Sequence, residues 1–256
     1  MNIRIQNVTV EYQRPILSDI DLDIEAGEFV SIVGQTGCGK STLLRLILGE
    51  QTPTRGRVFV GGKERTQPDP TCGYVPQKYS LFPDRTVLGN VTFGLKGPDA
   101  RREALRMLRR TGLQESDAGK YPHQLSGGMQ QRVAIAQALV MNPPVLLMDE
   151  AFSALDPGTR AGMQQLIKEL WQESGTTIVF VTHNTREAVW LGTRVIALGG
   201  ASPFESAVAH IGFDAEEDHI QFVIRDIETR THSNRIVTTS GEELQKRRFA
   251  EATFQG

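Results

Sequence analysis

The sequence has few of the features that mark secreted or membrane-spanning proteins. Only two of its 256 residues are cysteine, which excludes a disulfide-stabilised scaffold and fits a reducing compartment. Nowhere do 18 consecutive apolar residues occur, and the stretch from Met1 to Gln6 lacks the apolar core of a signal peptide. We therefore expect a chain that neither crosses a membrane nor is secreted by itself, and whose membrane contacts come through a partner.

The sequence also has no excess of basic residues. Lysine and arginine number 28 against 30 aspartates and glutamates, which gives a net charge of -2 and a pI near 6.2. Because nucleic-acid-binding proteins usually carry a basic patch, we expect no nucleic-acid partner. The length is sufficient to bury the core of one large domain, or of one domain with an insertion.

A glycine-rich loop lies between a β-branched run at 29–33 and a run of good helix formers at 42–48. Its G-x-x-x-x-G-K-[ST] pattern turns backbone N–H groups inward at a helix N-terminus, an arrangement that suits a polyphosphate. We predict that Lys40 reaches the β- and γ-phosphates and that the Ser41 hydroxyl completes a Mg²⁺ shell. The predicted nucleotide-binding residues of the loop are Gly34, Gln35, Thr36, Gly37, Cys38, Gly39, Lys40, Ser41 and Thr42.

Two carboxylates, Asp149 and Glu150, follow the apolar run 145–148. The run predicts a buried parallel strand, at whose end carboxylates need a cation or hydrogen bonds. Asp149 is then expected to contact Mg²⁺ through water, and Glu150 to orient or deprotonate an attacking water. The alternative is that both residues simply begin a surface turn.

Three further residues at strand ends each allow two interpretations. Gln77 is either a Mg²⁺ or water contact or a solvated side chain. His183 is either a neutral hydrogen-bonding group that faces a phosphate or a structural residue, and its position at a strand end, like those of Gln77 and Glu150, favours the first. Tyr12 either packs at the end of a strand or stacks on a flat base.

The remaining pattern predicts the other elements. Alternating apolar residues at 3–10 and 20–24 predict two antiparallel β segments before the loop. Helical spacing at 87–95 and 101–110 predicts an inserted helical lobe, whose arginine-rich face is expected to be solvated. Ser126, Gly127 and Gly128 begin an alanine-rich helix, either as an ordinary cap or as a second anion site.

Together these motifs resemble the ATP-binding cassette family, the nucleotide-binding subunits of ABC transporters. In chain order they are Walker A at 34–42, the Q-loop at Gln77, the signature at 125–131, Walker B at 145–150, the D-loop at 153–156 and the switch histidine at His183. Tyr12 stands where the family has its adenine-stacking aromatic residue. The sequence departs from the family at Ala151, where many relatives have proline, and this change should alter the turn without removing either carboxylate.

The resemblance implies an α/β fold with a P-loop NTPase (RecA-like) core, an antiparallel β subdomain and an inserted α-helical subdomain at about 78–141. It covers residues 1–198 and implies both ATP and Mg²⁺ as cofactors. The extension at 199–256 has no assigned role; strands are expected at 219–224 and 235–238, and a helix start at 240–243.

The resemblance also implies a mechanism and partners. Two cassettes pair head to tail, so that Ser126, Gly127 and Gly128 of one close over ATP held by the other; a homodimer is the expected form. The segment 77–95 is similar to the importer version of the lobe, which receives a coupling helix from an integral membrane permease. The layout is similar to the nitrate, sulfonate and taurine importer branch, which places the chain in the cytoplasm at the inner face of the membrane, with a substrate-binding protein as an indirect partner.

Two other classes of protein also contain a phosphate-binding loop of this kind. A soluble ABC ATPase that acts on DNA or the ribosome would usually carry two cassettes or a long insertion, and the sequence shows one cassette and no such insertion. A P-loop kinase would need a phosphate-acceptor pocket and would leave the motif at 125–131 without a role. We therefore expect an ATPase subunit that powers a membrane importer.

Overall fold

A computed structural model of the chain describes residues 1–78 and 80–198, the backbone of 206–210, and residues 225 and 227. The elements predicted at 219–224, 235–238 and 240–243 lie outside the described residues. The chain divides into two compact units: one contains residues 1–68 and the described residues from 179 onward, and the other contains residues 69–178.

Six elements of the first unit precede residue 69: β1 (Ile3–Glu11), β2 (Pro15–Ile24), β3 (Phe29–Gly34), α1 (Lys40–Leu48), β4 (Arg55–Val60) and β5 (Lys63–Glu64). Strands β1, β2, β4 and β5 form an antiparallel sheet in the order β2-β1-β4-β5. The pairing of β1 with β2 confirms the two antiparallel segments expected before the loop. Apolar residues at alternate positions of β1 are buried in two pairs, Ile3 with Ile5 and Val8 with Val10, and a register shift between Ile5 and Val8 separates the pairs.

The second unit contains β6 (Cys72–Val75), α2 (Val87–Thr92), α3 (Ala100–Arg110), α4 (Gly127–Leu139), β7 (Val145–Asp149) and α5 (Pro157–Ser174). Short 3-10 helices at Glu115–Asp117 and Pro122–Gln124 join α3 to α4. Strands β6 and β7 are parallel neighbours, with Val75 opposite Met148. Because parallel strands present their carboxyl ends at the same edge, the residues that follow β6 and β7 are placed close together.

The chain continues with β8 (Thr177–Thr182), α6 (Thr185–Leu191), β9 (Arg194–Leu198) and β10 (Ser206–His210). In the first unit the hydrogen-bonded order is β10-β9-β3-β8. Strands β3 and β9 are parallel, whereas β10 is antiparallel to β9. All side chains of 29–33 are buried, which explains why β3 is apolar there apart from Ser31.

The sequence reasoning missed helix α6. Its signal is present, because Asn184 caps the helix by accepting a hydrogen bond from the backbone N–H of Glu187 at 3.2 Å, and such a residue followed three positions later by glutamate is a recognised helix start. The helix has only seven residues, which is too short for its apolar spacing to stand out.

Helices α2, α3 and α4 pack around one apolar cluster in the second unit. Its fully buried members come from all three helices and include Val87, Val91, Ala104, Leu108, Val133 and Ala136. The helix predicted at 87–95 ends early, at Thr92, before glycines at 94 and 97. The helix predicted at 101–110 is observed at Ala100–Arg110.

Asn90 of α2 is a fully buried polar residue that joins the preceding loop to the helix. Its Oδ1 accepts a hydrogen bond from the backbone N–H of Phe82 at 2.7 Å. Its Nδ2 lies within 3.2 Å of the carbonyl oxygens of Phe82 and Arg85 and 3.0 Å from that of Thr86. One side chain therefore fixes the backbone of the loop from 82 to 86 against α2.

Candidate functional site

The glycine-rich loop has the backbone that the motif predicts. It leaves the carboxyl end of β3, and α1 begins at Lys40 with Gly39 as its N-cap at φ 101°. A side chain at Gly34 would place its Cβ 2.5 Å from the carbonyl oxygen of Leu198. At Gly39 both the positive φ and the close approach of Leu17, 2.6 Å from such a Cβ, require glycine. The loop therefore keeps its path because these positions lack side chains.

Lys40 is held inside this loop. The residue is only 6% exposed, and its Nζ donates to the carbonyl oxygens of Gly34 at 2.8 Å and Gln35 at 2.9 Å. Both acceptors are neutral, and none of the ion pairs found among the described residues neutralises this ammonium. Its charge adds to the partial positive charge at the N-terminus of α1, so that the loop attracts an anion.

Cys38 lies beside this ammonium, with its Sγ 3.9 Å from Nζ of Lys40. Burial raises the pKa of the Cys38 thiol above its ordinary value of 9.0, and the nearby charge of Lys40 offsets only part of that effect. The thiol is therefore protonated at neutral pH, and Cys38 acts there as a small uncharged loop residue.

We expect alkylation of Cys38 by iodoacetamide to be slow at pH 7 and to accelerate through pH 9 without levelling off. With a pKa above 9.0, fewer than about 1 in 100 of these thiols are ionised at pH 7, and only the thiolate reacts. Mass spectrometry of a Cys72→Ser variant measures the rate at Cys38 alone, since these are the only two cysteines. A rate that reaches its plateau below pH 8 would show that the charge of Lys40 outweighs burial.

The second unit brings Gln77 and Glu150 together at the carboxyl ends of the parallel neighbours β6 and β7. Nε2 of Gln77 donates to Oε2 of Glu150 at 2.8 Å. Glu150 has a φ of 46°, a left-handed conformation that is unfavourable for a residue with a side chain. Immediately after it, Ala151 is fully buried and the Ser153 N–H donates to the Glu150 carbonyl oxygen at 3.0 Å. The turn therefore keeps Glu150 at the strand end with alanine, not proline, at the next position.

Asp149 is the last residue of β7 and is 5% exposed. A carboxylate at this depth, the amide oxygen of Gln77 and the hydroxyl of Ser41 are all oxygen donors, which Mg²⁺ prefers. Magnesium is commonly held by one or two carboxylates together with phosphate oxygens of its nucleotide. Each of these side chains, Ser41 in the first unit and Gln77 and Asp149 in the second, therefore has a donor that suits Mg²⁺.

The signature residues stand at the N-terminus of the 13-residue helix α4. Ser126 is its N-cap and accepts a hydrogen bond from the Met129 N–H at 3.3 Å. Ser126 is exposed, while Gly127 and Gly128 are half-buried. The hydroxyl of Ser126 can still donate, so the first turn offers both a hydroxyl and a helix N-terminus to an anion.

Tyr12 and His183 belong to the first unit and are both at its surface. Tyr12 follows β1 and is 66% exposed, which weakens the interpretation of a packing residue. His183 is exposed between β8 and α6. Both side chains are thus accessible to a ligand.

Comparison with known proteins decides the family. The ABC transporter model matches residues 17–153, more than half of the chain. An uncharacterised ABC transporter ATP-binding protein of Methanocaldococcus jannaschii is 44% identical over 208 residues, which cover 77% of this chain and 78% of that protein. The chain belongs to the ABC transporter family. Its cassette is an ATP-binding ATPase.

Other relatives of this ABC cassette are named as import proteins. An aliphatic sulfonates import ATP-binding protein of Zymomonas mobilis is 46% identical over 183 residues, covering 72% of the cassette chain and 75% of the relative. A sulfate/thiosulfate import ATP-binding protein of Rhizobium meliloti is 41% identical over 211 residues, covering 77% of the chain but only 57% of the relative. These names favour the predicted importer type over the soluble alternative.

A solved structure confirms the predicted fold class. A dimeric ATP-binding cassette in a post-hydrolysis state with ADP and phosphate is 38% identical to this cassette, with a TM-score of 0.72 over 80% of this chain and 98% of that one. Both sheets of this cassette, one antiparallel and one containing parallel strands, accord with a P-loop ATPase of this kind. Within the described part of the chain, no helix is long and apolar enough to span a membrane.

Proposed function

We propose that this cassette powers the import of a small anionic solute by closing as a dimer on ATP and reopening after hydrolysis. The observation that carries the proposal is the cationic phosphate loop around Lys40, combined with an accessible aromatic surface on the lobe expected to meet a permease. Solutes of the nitrate, sulfonate or taurine kind are the proposed cargo, because relatives are named for sulfate, thiosulfate and aliphatic sulfonates.

In this proposal the residues of the first unit bind the nucleotide. The loop from Gly34 to Thr42 surrounds the phosphates, and Lys40 exchanges its two carbonyl acceptors for the β- and γ-phosphates. Tyr12 stacks on the adenine, and His183 hydrogen-bonds the γ-phosphate. Two observations support these roles. The ring of Tyr12 is exposed, and the two hydrogen-bond acceptors of Lys40 are neutral carbonyl oxygens that phosphate can replace.

The residues of the second unit act on the metal and on water. Gln77 and Asp149, with Ser41 of the first unit, are the proposed Mg²⁺ ligands, and the metal would offset the charge that develops during hydrolysis. Glu150 orients the attacking water and accepts its proton. Gln77 donates to Oε2 of Glu150 at 2.8 Å, which helps to orient the carboxylate and leaves other lone pairs free to accept from water.

The signature turn completes the site of a second copy. Ser126, Gly127 and Gly128 would close over ATP bound by the partner cassette, and their position at an exposed helix N-terminus supports this role. A homodimer is the form proposed. The solved relative named above is itself described as dimeric.

The surface for the permease is an aromatic cluster of Phe82, Arg85 and Phe93. The two rings lie 4.5 Å apart, and the guanidinium of Arg85 lies 4.7 Å from the centre of Phe93 and 5.5 Å from that of Phe82. Phe93 is 54% exposed. An exposed ring held in place by a cation is suited to anchor a helix from a membrane subunit.

A permease partner implies where the cassette is located and which part of the chain has a proposed role. The cassette would lie in the cytoplasm at the inner face of the membrane, attached through permease subunits, and would meet a substrate-binding protein only indirectly. Residues 1–198 form the proposed cassette, with the helical subdomain inserted at about 78–141. The extension at 199–256 has no proposed role.

We expect the tagged wild-type protein to co-purify with a hydrophobic permease, and the Phe93→Ser variant to lose most of that permease. Removing an exposed aromatic anchor typically weakens an interface by about tenfold or more. Quantitative mass spectrometry of the purified membranes measures the ratio, and a thermal melt checks that the variant is folded.

Trp190→Ser provides the matched control, because Trp190 is another large, partly exposed aromatic residue, 39% exposed and in the first unit. If Phe93→Ser and Trp190→Ser recover equal amounts of permease, the aromatic cluster is not part of the docking surface. Recovery of ribosomes or DNA in place of a permease would reject the importer function.

A further inference from the structure

Gln131 is a buried polar residue for which the proposed mechanism has no role. It lies in α4, is 0% exposed, and neither Nε2 nor Oε1 has a hydrogen-bond partner anywhere in the described part of the chain. A buried amide without partners is costly, whereas an apolar side chain of the same size would carry no such cost. The residue is therefore poorly suited to the observed state of the protein.

The helix geometry shows what Gln131 faces. It lies three residues after Gly128 and seven before Ala138, so that all three residues share one face of α4. A Cβ at Gly128 would lie 3.6 Å from the carbonyl oxygen of Ala154, in the turn that follows β7. The carbonyl oxygen of Ala138, in turn, would be 3.2 Å from a Cβ at Gly73 in β6. The face of Gln131 thus packs against β6 and against the turn from 150 to 155.

That turn contains the residue that most needs support. Glu150 has a left-handed φ of 46°, and such a conformation persists only where its surroundings hold it. Its carboxylate accepts a hydrogen bond at Oε2 from Nε2 of Gln77 at 2.8 Å, which leaves its other lone pairs able to accept from water. Any contact that holds the backbone of this turn therefore also helps to hold the Glu150 carboxylate in position.

We propose that Gln131 is a positioning residue for Glu150. When ATP closes the dimer, α4 shifts against the turn, and the Gln131 amide hydrogen-bonds to the backbone of residues 150–155. Nε2 and Oε1 of Gln131, which have no hydrogen-bond partner among the described residues, would then hold the turn from 150 to 155 in the closed dimer. This inference rests on the proposed function, since it assumes that Glu150 activates the water.

The test compares Gln131→Met with Ser31→Ala. Ser31 is also 0% exposed and has a buried Oγ without a partner among the described residues, but it lies in β3. Both substitutions remove an unmet polar group, so we expect the melting temperature to rise by about a few degrees in each. Only Gln131→Met should lower kcat, by about tenfold, while KM for ATP stays within about twofold of wild type.

A Gln131→Glu variant supplies an independent readout. Burial raises the pKa of a carboxyl group, so this side chain becomes a neutral donor and acceptor as the pH falls. We expect its kcat, relative to wild type, to recover between pH 8 and pH 6, a change that a purely structural role would not produce. If Gln131→Met does not fold, this pH profile alone decides.

A kcat for Gln131→Met within about twofold of wild type would overturn the proposal, as would a flat pH profile for Gln131→Glu. Loss of kcat in Ser31→Ala to the same extent would overturn it too, because the effect would then follow any change in a buried polar group. Absence of ATP hydrolysis by the wild-type protein would instead overturn the proposed function.

Discussion

Methionine in place of Lys40 is expected to abolish ATP binding at concentrations that saturate the wild-type protein. The residue is 6% exposed, and its ammonium is the charge that the loop presents to phosphate. Removing one partner of a buried, hydrogen-bonded charge pair weakens binding by about two orders of magnitude or more. Isothermal titration calorimetry with ATP measures the loss directly.

Lys63→Met is the matched control, because Lys63 lies in the short strand β5 and is exposed. It removes the same charge from the same unit and should leave the affinity for ATP within about twofold of wild type, as is usual for exposed charges. A thermal melt distinguishes loss of the site from loss of the fold. Wild-type affinity in a folded Lys40→Met protein would show that the loop binds through its backbone alone.

The second large effect is expected for Glu150→Gln. We expect hydrolysis to fall by about 100- to 10,000-fold, the usual contribution of a general base, while ATP still binds. Glutamine has the same shape and can keep a hydrogen bond to Gln77, but it cannot accept the proton of water. The variant should therefore accumulate as a closed dimer with ATP, which size-exclusion chromatography with light scattering measures.

Glu169→Gln tests whether the effect belongs to the site. Glu169 lies on α5 and its carboxylate accepts a hydrogen bond from Gln165 at the surface, so we expect its substitution to leave both hydrolysis and dimer formation unchanged. Hydrolysis by Glu150→Gln at the wild-type rate would show that Glu150 is not the base. A closed dimer that forms without ATP would contradict the proposed role of nucleotide in closure.

Local sequence rules were sufficient for the parts of the site that depend on backbone position. Glycine spacing predicts the loop because positive φ and close approach can be met only by glycine, as at Gly39. The apolar runs before Gln77 and Glu150 predict that both residues follow strands, and their side chains meet in the structure, with Nε2 of Gln77 2.8 Å from Oε2 of Glu150. In both cases the backbone conformation places the residues of the site, and that conformation can be predicted from the types of residue in the segment.

The same local rules do not predict which way a side chain points or which residues surround it. Asn90 and Gln131 are polar residues in helices, which ordinarily predicts solvent exposure, yet both are fully buried. Nor does the sequence show that Lys40 turns back to the carbonyls of its own loop. Each of these features depends on which surfaces meet after folding, and hydrophobic periodicity carries no information on the partners of an individual polar atom.

The buried Asn90 also has a mechanical consequence. Four hydrogen-bond contacts from one side chain tie the backbone at Phe82, Arg85 and Thr86 to α2, so that the loop and the helix have little freedom to bend against each other. A force applied to the loop is then transmitted as a displacement of the whole helix rather than absorbed as local deformation. The loop and α2 therefore move as one stiff segment, which the ring contact of Phe82 with Phe93 and the hydrogen bond from the Gly89 N–H to Oγ1 of Thr86 also hold together.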